Sequence, residues 1–205
     1  TSNSIIYNQE KPKFIDIDPN TLNINLDKLK DAINKSKKKI NAVVPVHLGG
    51  LAKGSKKIFE TCKKNKIFVI EDAAHSFGGF YEDGSRIGSC RCSHMTVFSF
   101  HPVKTITTGE GGVITTNSKK LYDKLIILRN HGIQKNKKFF INKKQAFTKK
   151  KVNPWYYEMV DLGFNYRITD IQCALGISQL GKLEKILKKR KSFAKFYDKN
   201  LGNFK

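Results

Sequence analysis

The sequence has 205 residues, with 39 Lys and Arg against 17 Asp and Glu, and its formal net charge is +22. This length suffices for one large domain with a sizeable core, and the 4 cysteines do not form the framework of a secreted disulfide-stabilised protein. No apolar segment has the length of a membrane span or the pattern of a signal peptide, so we expect a cytoplasmic protein with no membrane partner.

The residues up to Asp72 alternate between helix and strand patterns. In chain order they predict the interior of a helix at 1–7, a strand at 13–18, a helix at 25–33, a strand at 42–47, a helix at 55–65 and a strand at 67–70. Asn25 or Asp27 is the expected N-cap of the helix at 25–33, and Ser55 that of the next helix. Two consecutive strand–helix–strand units predict an α/β fold with a mostly parallel sheet and helices on its faces. Ligands of such sheets bind at the carboxyl ends of the strands, where Asp72 lies.

A glycine-rich turn follows the next predicted strand, Met95–Phe100. Lys104 lies in this turn, which three glycines close, Gly109, Gly111 and Gly112. A lysine amine in an apolar setting can form a Schiff base, and an aspartate can keep a pyridine nitrogen protonated, which are the two groups that pyridoxal phosphate (PLP) needs. Taken alone, Lys104 can equally be one surface lysine among many, and Asp72 a cap of the following turn.

The second half of the chain predicts a strand at 112–116, a helix at 118–129 that Ser118 caps, and one long helix from Thr169 to at least Leu187. The segment Thr169–Gln172 matches a capping box that starts this long helix. Cys90, Cys92 and His94 lie close together between the strands, but their spacing is not that of a standard zinc site, and we expect no metal.

Residues 134–151 form the most basic segment, with eight lysines and no acidic residue. Phenylalanines between these lysines leave open a basic groove that stacks nucleic-acid bases. The simpler interpretation is a solvated, lysine-biased loop, whose charge would also attract an anionic small molecule. Because lysines are spread over the whole chain, we expect no nucleic-acid partner.

The chain resembles the PLP-dependent sugar aminotransferases of the DegT/DnrJ/EryC1/StrS family. The segments that carry the resemblance, in the family's order, are Lys13–Asp18, Val44–Gly50, Val69–Ser76, Phe98–Gly112, Arg129–Gly132 and Gly163–Asp170. The resemblance implies the large domain of a type I PLP-dependent aminotransferase, with residues 1–150 as its central part. Residues 151–205 would be the end of that domain and a long helix leading to a C-terminal small domain. Both ends of the sequence read as cut, so we expect a piece of a longer protein.

The resemblance also implies a set of cofactor-binding residues. Lys104 would hold PLP as a Schiff base and carry the proton during transamination. Asp72 would pair with the pyridine nitrogen, and Ala74 would pack on the ring. His75 would lie near the ring hydroxyl, and Ser99 would bind the phosphate.

The resemblance further implies a homodimer with shared active sites, in which Asn165 reaches the phosphate bound to the neighbouring subunit. Arg167 beside it is a substrate or phosphate contact, and His101 is a further substrate-binding candidate. The motifs are most similar to the transaminase branch of pseudaminic-acid biosynthesis, which implies a UDP-linked 4-keto-6-deoxy sugar as acceptor and glutamate as amino donor.

Two alternatives stay open. Sugar dehydratases resemble this family but have histidine in place of the cofactor-binding lysine, so Lys104 argues against them. A non-catalytic regulatory or basic nucleic-acid-binding relative is the other alternative. Salt-sensitive binding to random DNA would favour it.

Overall fold

The backbone forms two compact units in the computed structural model, which describes residues 1–202. The first unit joins Thr1–Asn117 to the residues from Asp170 onward, and the second is Ser118–Thr169. In chain order the elements are α1 (Ser2–Tyr7), α2 (Leu26–Asn34), β1 (Ala42–Val43), α3 (Ser55–Lys64), β2 (Phe68–Asp72), β3 (Met95–Ser99), β4 (Gly112–Thr115), α4 (Lys119–Leu128), β5 (Ile133–Gln134), α5 (Lys143–Ala146), β6 (Phe147–Thr148), β7 (Lys151–Val152), β8 (Glu158–Met159), α6 (Asp170–Leu180) and α7 (Leu183–Leu201). Within residues 1–202, no helix combines the length and apolarity that crossing a membrane requires.

The first unit is built on a four-stranded sheet in the order β1–β2–β3–β4. Strands β1, β2 and β3 run parallel and β4 is antiparallel to β3, which confirms the predicted mostly parallel α/β sheet. Asp72 lies opposite Val97 in the register of β2 and β3. Side chains alternate between the two faces of a strand, so Asp72 and Ser99 project from the same face at adjacent strand ends.

Apolar side chains from the helices and strands form two buried clusters in this unit. The first consists of Leu29, Val43, Ile58, Cys62, Ile67 and Val69. The second consists of Ala52, Ala73, Tyr81, Ile87, Cys92 and Phe98. Helix α2 starts where predicted, because the Asn25 side chain accepts hydrogen bonds from the backbone N–H groups of Asp27 and Lys28.

Three local predictions in this unit are wrong. Residues 13–18 do not form a strand, because their backbone pairs only at Ile17, in an isolated bridge to Ile24. The strand expected at 42–47 is present but too long, because β1 ends at Val43, before Pro45, which has no N–H for a ladder, and the pairing resumes only in an isolated bridge between Val46 and Asp72. Ser55 is the first residue of α3 rather than its cap, since Gly54 occupies the cap position and the Ser55 hydroxyl donates to the Ala52 carbonyl at 3.1 Å.

The predicted long helix is also wrong, since two helices, α6 and α7, replace it. The break falls at Gly181 and Lys182, where the N–H of Lys182 bonds to the Gln179 carbonyl and tightens the last turn of α6. Glycine favours such an interruption because it has a low helix propensity. The apolar spacing continues through the break, which is why periodicity alone predicted one helix.

The second unit contains the lysine-rich segment, and this segment is not a simple solvated loop. It includes α5 and the β6–β7 pair, and it buries Phe140 and Ala146. The Phe140 ring meets Tyr156 edge-on, with the ring centroids 5.0 Å apart. The lysines lie on the outside while these few apolar groups supply a small core, a division that composition could not show.

Candidate active site

Asp72 is held at both its backbone and its carboxylate. Its N–H donates to the Pro45 carbonyl at 2.9 Å, and its own carbonyl accepts from the His47 N–H at 3.0 Å. The Ala74 N–H donates to Oδ1 at 3.3 Å, and the Thr1 hydroxyl donates to Oδ2. Because each carboxylate oxygen has a donor, the plane of the carboxylate is set before any ligand binds.

A cavity of about 100 Å³ opens beside this carboxylate. Its lining consists of Val46, His47, Asp72, Ala74 and His75. Nδ1 of His75 accepts a hydrogen bond from the Gly49 N–H at 3.4 Å, which leaves Nε2 as the N–H donor of the ring. The cavity therefore offers an anion, a small methyl surface at Ala74 and an imidazole N–H donor. These three groups fit one end of a flat, protonated heteroaromatic ring such as that of PLP.

Lys104 lies in a closed loop between β3 and β4, which we call the lysine loop (residues 100–111). The Phe100 N–H donates to the Gly111 carbonyl at 2.9 Å, and the Phe100 carbonyl accepts from the Thr108 N–H at 3.0 Å. Within the loop the Lys104 N–H bonds to the His101 carbonyl at 2.9 Å, which places Lys104 in the predicted turn. The lysine is half-buried; of the two apolar neighbours expected to surround it, Val103 is 71% exposed and Ile106 is buried.

Helix α6 supports the lysine loop from outside the sheet. The Gln172 side-chain amide donates to the Glu110 carbonyl at 2.9 Å, and a Cβ at Gly176 would stand 3.0 Å from the Thr108 methyl. The glycine thus allows close approach of the helix, and the glutamine bonds directly to the loop backbone. Any movement of α6 is expected to move the loop that carries Lys104.

Ser99 and His101 lie at the start of this loop. The Ser99 hydroxyl oxygen accepts from the His101 N–H at 3.3 Å, and its own hydrogen can point to a ligand oxygen. His101 is exposed, with Nε2 3.9 Å from a Glu110 carboxylate oxygen. Ser99 and Asp72 project from the same face of the sheet at the ends of adjacent strands.

Asn165 and Arg167 lie in the second unit, on a segment that pairs with the end of α4. The His131 N–H donates to the Phe164 carbonyl and the Tyr166 N–H to the Arg129 carbonyl, each at 2.9 Å. Both predicted side chains are exposed, and Arg167 Nε donates to Asn165 Oδ1 at 3.2 Å. Asn165 is thereby oriented with its amide hydrogens directed away from the arginine.

Gly132→Ala is expected to disrupt this segment, because Gly132 has a φ of +71° and a Cβ there would stand 1.7 Å from the Asp161 carbonyl oxygen. Gly84 is a matched control with a φ of +79° and open space around its Cβ position. Both variants carry left-handed strain of about 1–2 kcal/mol. Urea unfolding should show a further loss of about 2 kcal/mol or more for Gly132→Ala, since only it clashes with backbone. Equal losses for the two variants would contradict this prediction.

The cysteines and histidine between β2 and β3 have structural partners. Cys90 Sγ lies 3.2 Å from the Thr115 carbonyl, and His94 Nδ1 accepts the Val69 N–H at 2.9 Å. Burial raises the pKa of the Cys92 thiol to about 11. Within the part of the chain that the structure describes, no group of three or more His, Cys, Asp and Glu is placed to hold a metal ion.

Sequence reasoning gave no role in this site to four residues that the structure places around it, Thr1, His47, Glu71 and Gln172. Thr1 carries no pattern that could have indicated its contact with Asp72, and the capping-box pattern of Gln172 gave no sign of its bond to the Glu110 carbonyl. His47 and Glu71 did carry a signal, because each is a titratable residue within or directly after an apolar run. Such residues are rarely buried without a partner.

Known proteins match the chain along its full length. The family model described as the DegT/DnrJ/EryC1/StrS aminotransferase family matches residues 1–205. The chain belongs to this family. A UDP-4-amino-4,6-dideoxy-N-acetyl-β-L-altrosamine transaminase of Campylobacter jejuni is 39% identical over 199 residues, which cover 97% of the chain and 48% of that relative. The chain spans about half the length of the curated family members it matches.

Solved structures of the family confirm the fold. A Helicobacter pylori aminotransferase involved in the biosynthesis of pseudoaminic acid has a TM-score of 0.82 and 29% identity, over 97% of this chain and 47% of that one. A putative sugar aminotransferase of Streptococcus pneumoniae in its PLP form has a TM-score of 0.80 and 26% identity, over 98% of this chain and 50% of that one. The predicted family and its aminotransferase fold are therefore confirmed.

Proposed function

We propose that the chain carries the cofactor-binding part of a PLP-dependent transaminase for nucleotide-linked keto sugars. The observation that carries this proposal is the placement of Asp72, with a donor on each carboxylate oxygen, beside the strand that leads into the closed loop of Lys104. A carboxylate beside a cavity and an amine in the loop that follows the adjacent strand are the two groups that PLP requires. The family and the PLP form of a similar structure support this choice of cofactor.

Each residue has a defined task in this proposal. PLP, when bound, supplies an electron sink for bonds at the amino-bearing carbon. Asp72 would hold a proton at the pyridine nitrogen, and His75 would donate to the ring hydroxyl. Lys104 Nζ would bind the cofactor and would then move the proton at the substrate carbon. Ser99 Oγ would donate to the phosphate.

The remaining predicted residues complete the site across a homodimer. Asn165 Nδ2 would donate to the phosphate bound to the partner subunit, and Arg167 orients Asn165 through the bond at 3.2 Å. Arg167 and His101 are proposed substrate contacts. The net charge of +22 would draw the diphosphate of a sugar nucleotide toward the protein.

For the substrate we propose a UDP-linked 4-keto-6-deoxy sugar as acceptor and glutamate as amino donor. Support comes from the motif resemblance and from the similarity to the UDP-4-amino-4,6-dideoxy-N-acetyl-β-L-altrosamine transaminase of Campylobacter jejuni. Pseudaminic acid or a related surface glycan would be the end product.

A panel of nucleotide-linked 3-keto and 4-keto sugars, offered with glutamate to the full-length PLP-loaded protein, tests this function. Mass spectrometry of the product should show replacement of the C4 keto oxygen by an amino group on the UDP-linked 4-keto-6-deoxy sugar. A product aminated at C3 would contradict the substrate assignment. Complete inactivity on all sugars by a protein that binds PLP would contradict sugar transamination itself.

A further inference from the structure

Glu71 is a carboxylate completely buried inside the first unit, with 0% of its surface exposed. Tyr81 donates from its hydroxyl to Oε2 at 2.6 Å, and Thr96 donates to the same oxygen at 2.8 Å. His47 Nε2 lies 3.4 Å from Oε1, and His47 is itself 1% exposed. We call these four side chains the Glu71 cluster.

The cluster keeps a negative charge inside the protein. Burial by itself raises the pKa of the Glu71 carboxyl, but the contacts from His47, Tyr81 and Thr96 outweigh burial, and the pKa lies below its ordinary value. Burial and the adjacent carboxylate together raise the pKa of Tyr81, so its hydroxyl stays protonated and continues to donate. Glu71 is therefore an ionised group one residue before Asp72.

A gain in folding stability alone does not explain why a buried, ionised glutamate occupies this position. Val69 occupies the same face of β2 two residues earlier and is equally buried, with an ordinary apolar side chain. Replacing a buried ionic group by well-packed apolar residues is often neutral or stabilising. The buried charge of Glu71 and its hydrogen-bond donors therefore indicate that the end of β2 has to be held in one orientation.

The cluster joins the chain segments that surround Asp72. Thr96 is the register partner of Glu71 on β3, and Tyr81 comes from the loop between β2 and β3. His47 contacts Glu71 through its ring and donates its backbone N–H to the Asp72 carbonyl at 3.0 Å. Glu71 and Asp72 point to opposite faces of β2, so the Glu71 carboxylate lies behind the cavity, whereas His47 belongs to the cluster and also lines the cavity.

We propose that Glu71 is a positioning residue for Asp72. Its carboxylate contacts Thr96 of β3, His47, and Tyr81 of the loop between β2 and β3, and these contacts fix the orientation of the end of β2, where Asp72 lies. This inference rests on the proposed PLP-dependent function. A small displacement of Asp72 would separate its carboxylate from the pyridine nitrogen, and misplacement by about 1 Å can cost about a hundredfold.

The test compares Glu71→Gln with Val69→Ala in the full-length protein. The first substitution keeps the shape of the side chain and removes its charge, whereas the second removes buried apolar surface from the same strand face. PLP is titrated into the cofactor-free protein, and the visible absorption band of the lysine-bound cofactor reports its Kd. The melting temperature of the cofactor-free protein and, at saturating PLP, the pH midpoint of the band are also measured.

We expect Glu71→Gln to raise the Kd for PLP about 10- to 100-fold, since a displaced Asp72 binds the ring less well. The pH midpoint of the band should also move upward, because a ring nitrogen that loses its proton no longer repels the proton on the lysine nitrogen. Tyr81→Phe and Thr96→Val should shift both quantities in the same direction by less. Val69→Ala should lower the melting temperature but leave the Kd and the pH midpoint close to those of the unaltered protein.

Identical Kd and midpoint values for Glu71→Gln and Val69→Ala would overturn the inference and leave the cluster a purely structural role. If Glu71→Gln does not fold, the same comparison of the Kd for PLP and the pH midpoint is made with Tyr81→Phe, which removes only one hydroxyl from the cluster. An unaltered full-length protein that gives no visible band with PLP would instead contradict the proposed function.

Discussion

Lys104→Arg in the full-length protein is expected to abolish both the visible band of bound PLP and transamination. Arginine keeps the positive charge and the length of the side chain, but its guanidinium does not lose a proton in proteins and so cannot act as a nucleophile. Covalent attachment and proton transfer are both lost, so turnover should fall by about 10⁴-fold or more. Absorption spectra after PLP addition and steady-state kinetics measure the two effects.

The matched control for this prediction is Lys120→Arg, at an exposed lysine of α4. It should retain the band and the turnover of the unaltered protein. A Lys104→Arg protein with normal turnover would show that Lys104 is only one surface lysine among many, which is the alternative that the composition leaves open.

Asp72→Asn is expected to produce the second largest effect, a loss of turnover of about 10²–10³-fold. The amide has nearly the same shape but no charge, so it cannot hold a proton at the pyridine nitrogen. Its NH2 group would also face either the Thr1 hydroxyl or the Ala74 N–H, which are both donors to the present carboxylate. The visible band should remain, because Lys104 is unchanged, while the Kd for PLP rises.

Two further variants serve as comparisons for Asp72→Asn: one removes the charge of a carboxylate outside the site, and the other removes a donor to Asp72 without changing its charge. Asp27→Asn, at an exposed carboxylate near the start of α2, should leave turnover and PLP binding unchanged. Thr1→Val removes a donor to Asp72 but keeps its charge, and should reduce turnover by less than Asp72→Asn does. Normal turnover in Asp72→Asn would contradict the pairing of Asp72 with the ring nitrogen.

Much of the first unit follows from local patterns. Alternating strand and helix periodicities predicted the parallel strands β1, β2 and β3, and they placed Asp72 at a strand end. The N-caps Asn25 and Ser118 were predicted because a side-chain acceptor at a helix start satisfies nearby N–H groups whatever the surrounding fold.

The errors arise where distant contacts outweigh a local pattern. Residues 13–18 have the composition of a strand, but a strand exists only where a neighbour supplies successive backbone partners, and here the pairing is limited to one isolated bridge between Ile17 and Ile24. The lysine-rich segment looked solvated because its composition is basic, yet Phe140 and Ala146 find enough apolar neighbours to be buried.

The sequence by itself determined which chemical groups are available and their order along the chain. Lys104 and Asp72 could be selected as candidates because their residue types and their positions at or just after a strand end are local properties, whereas the roles of His75 and Ser99 followed from the family resemblance. Only the tertiary structure decided that Thr1 reaches Asp72, that Gln172 reaches the lysine loop, and that Glu71 is surrounded by three partners. These contacts join residues up to 71 positions apart in the chain. They depend on how the chain returns to the same sheet edge, and a local pattern contains no information about that path.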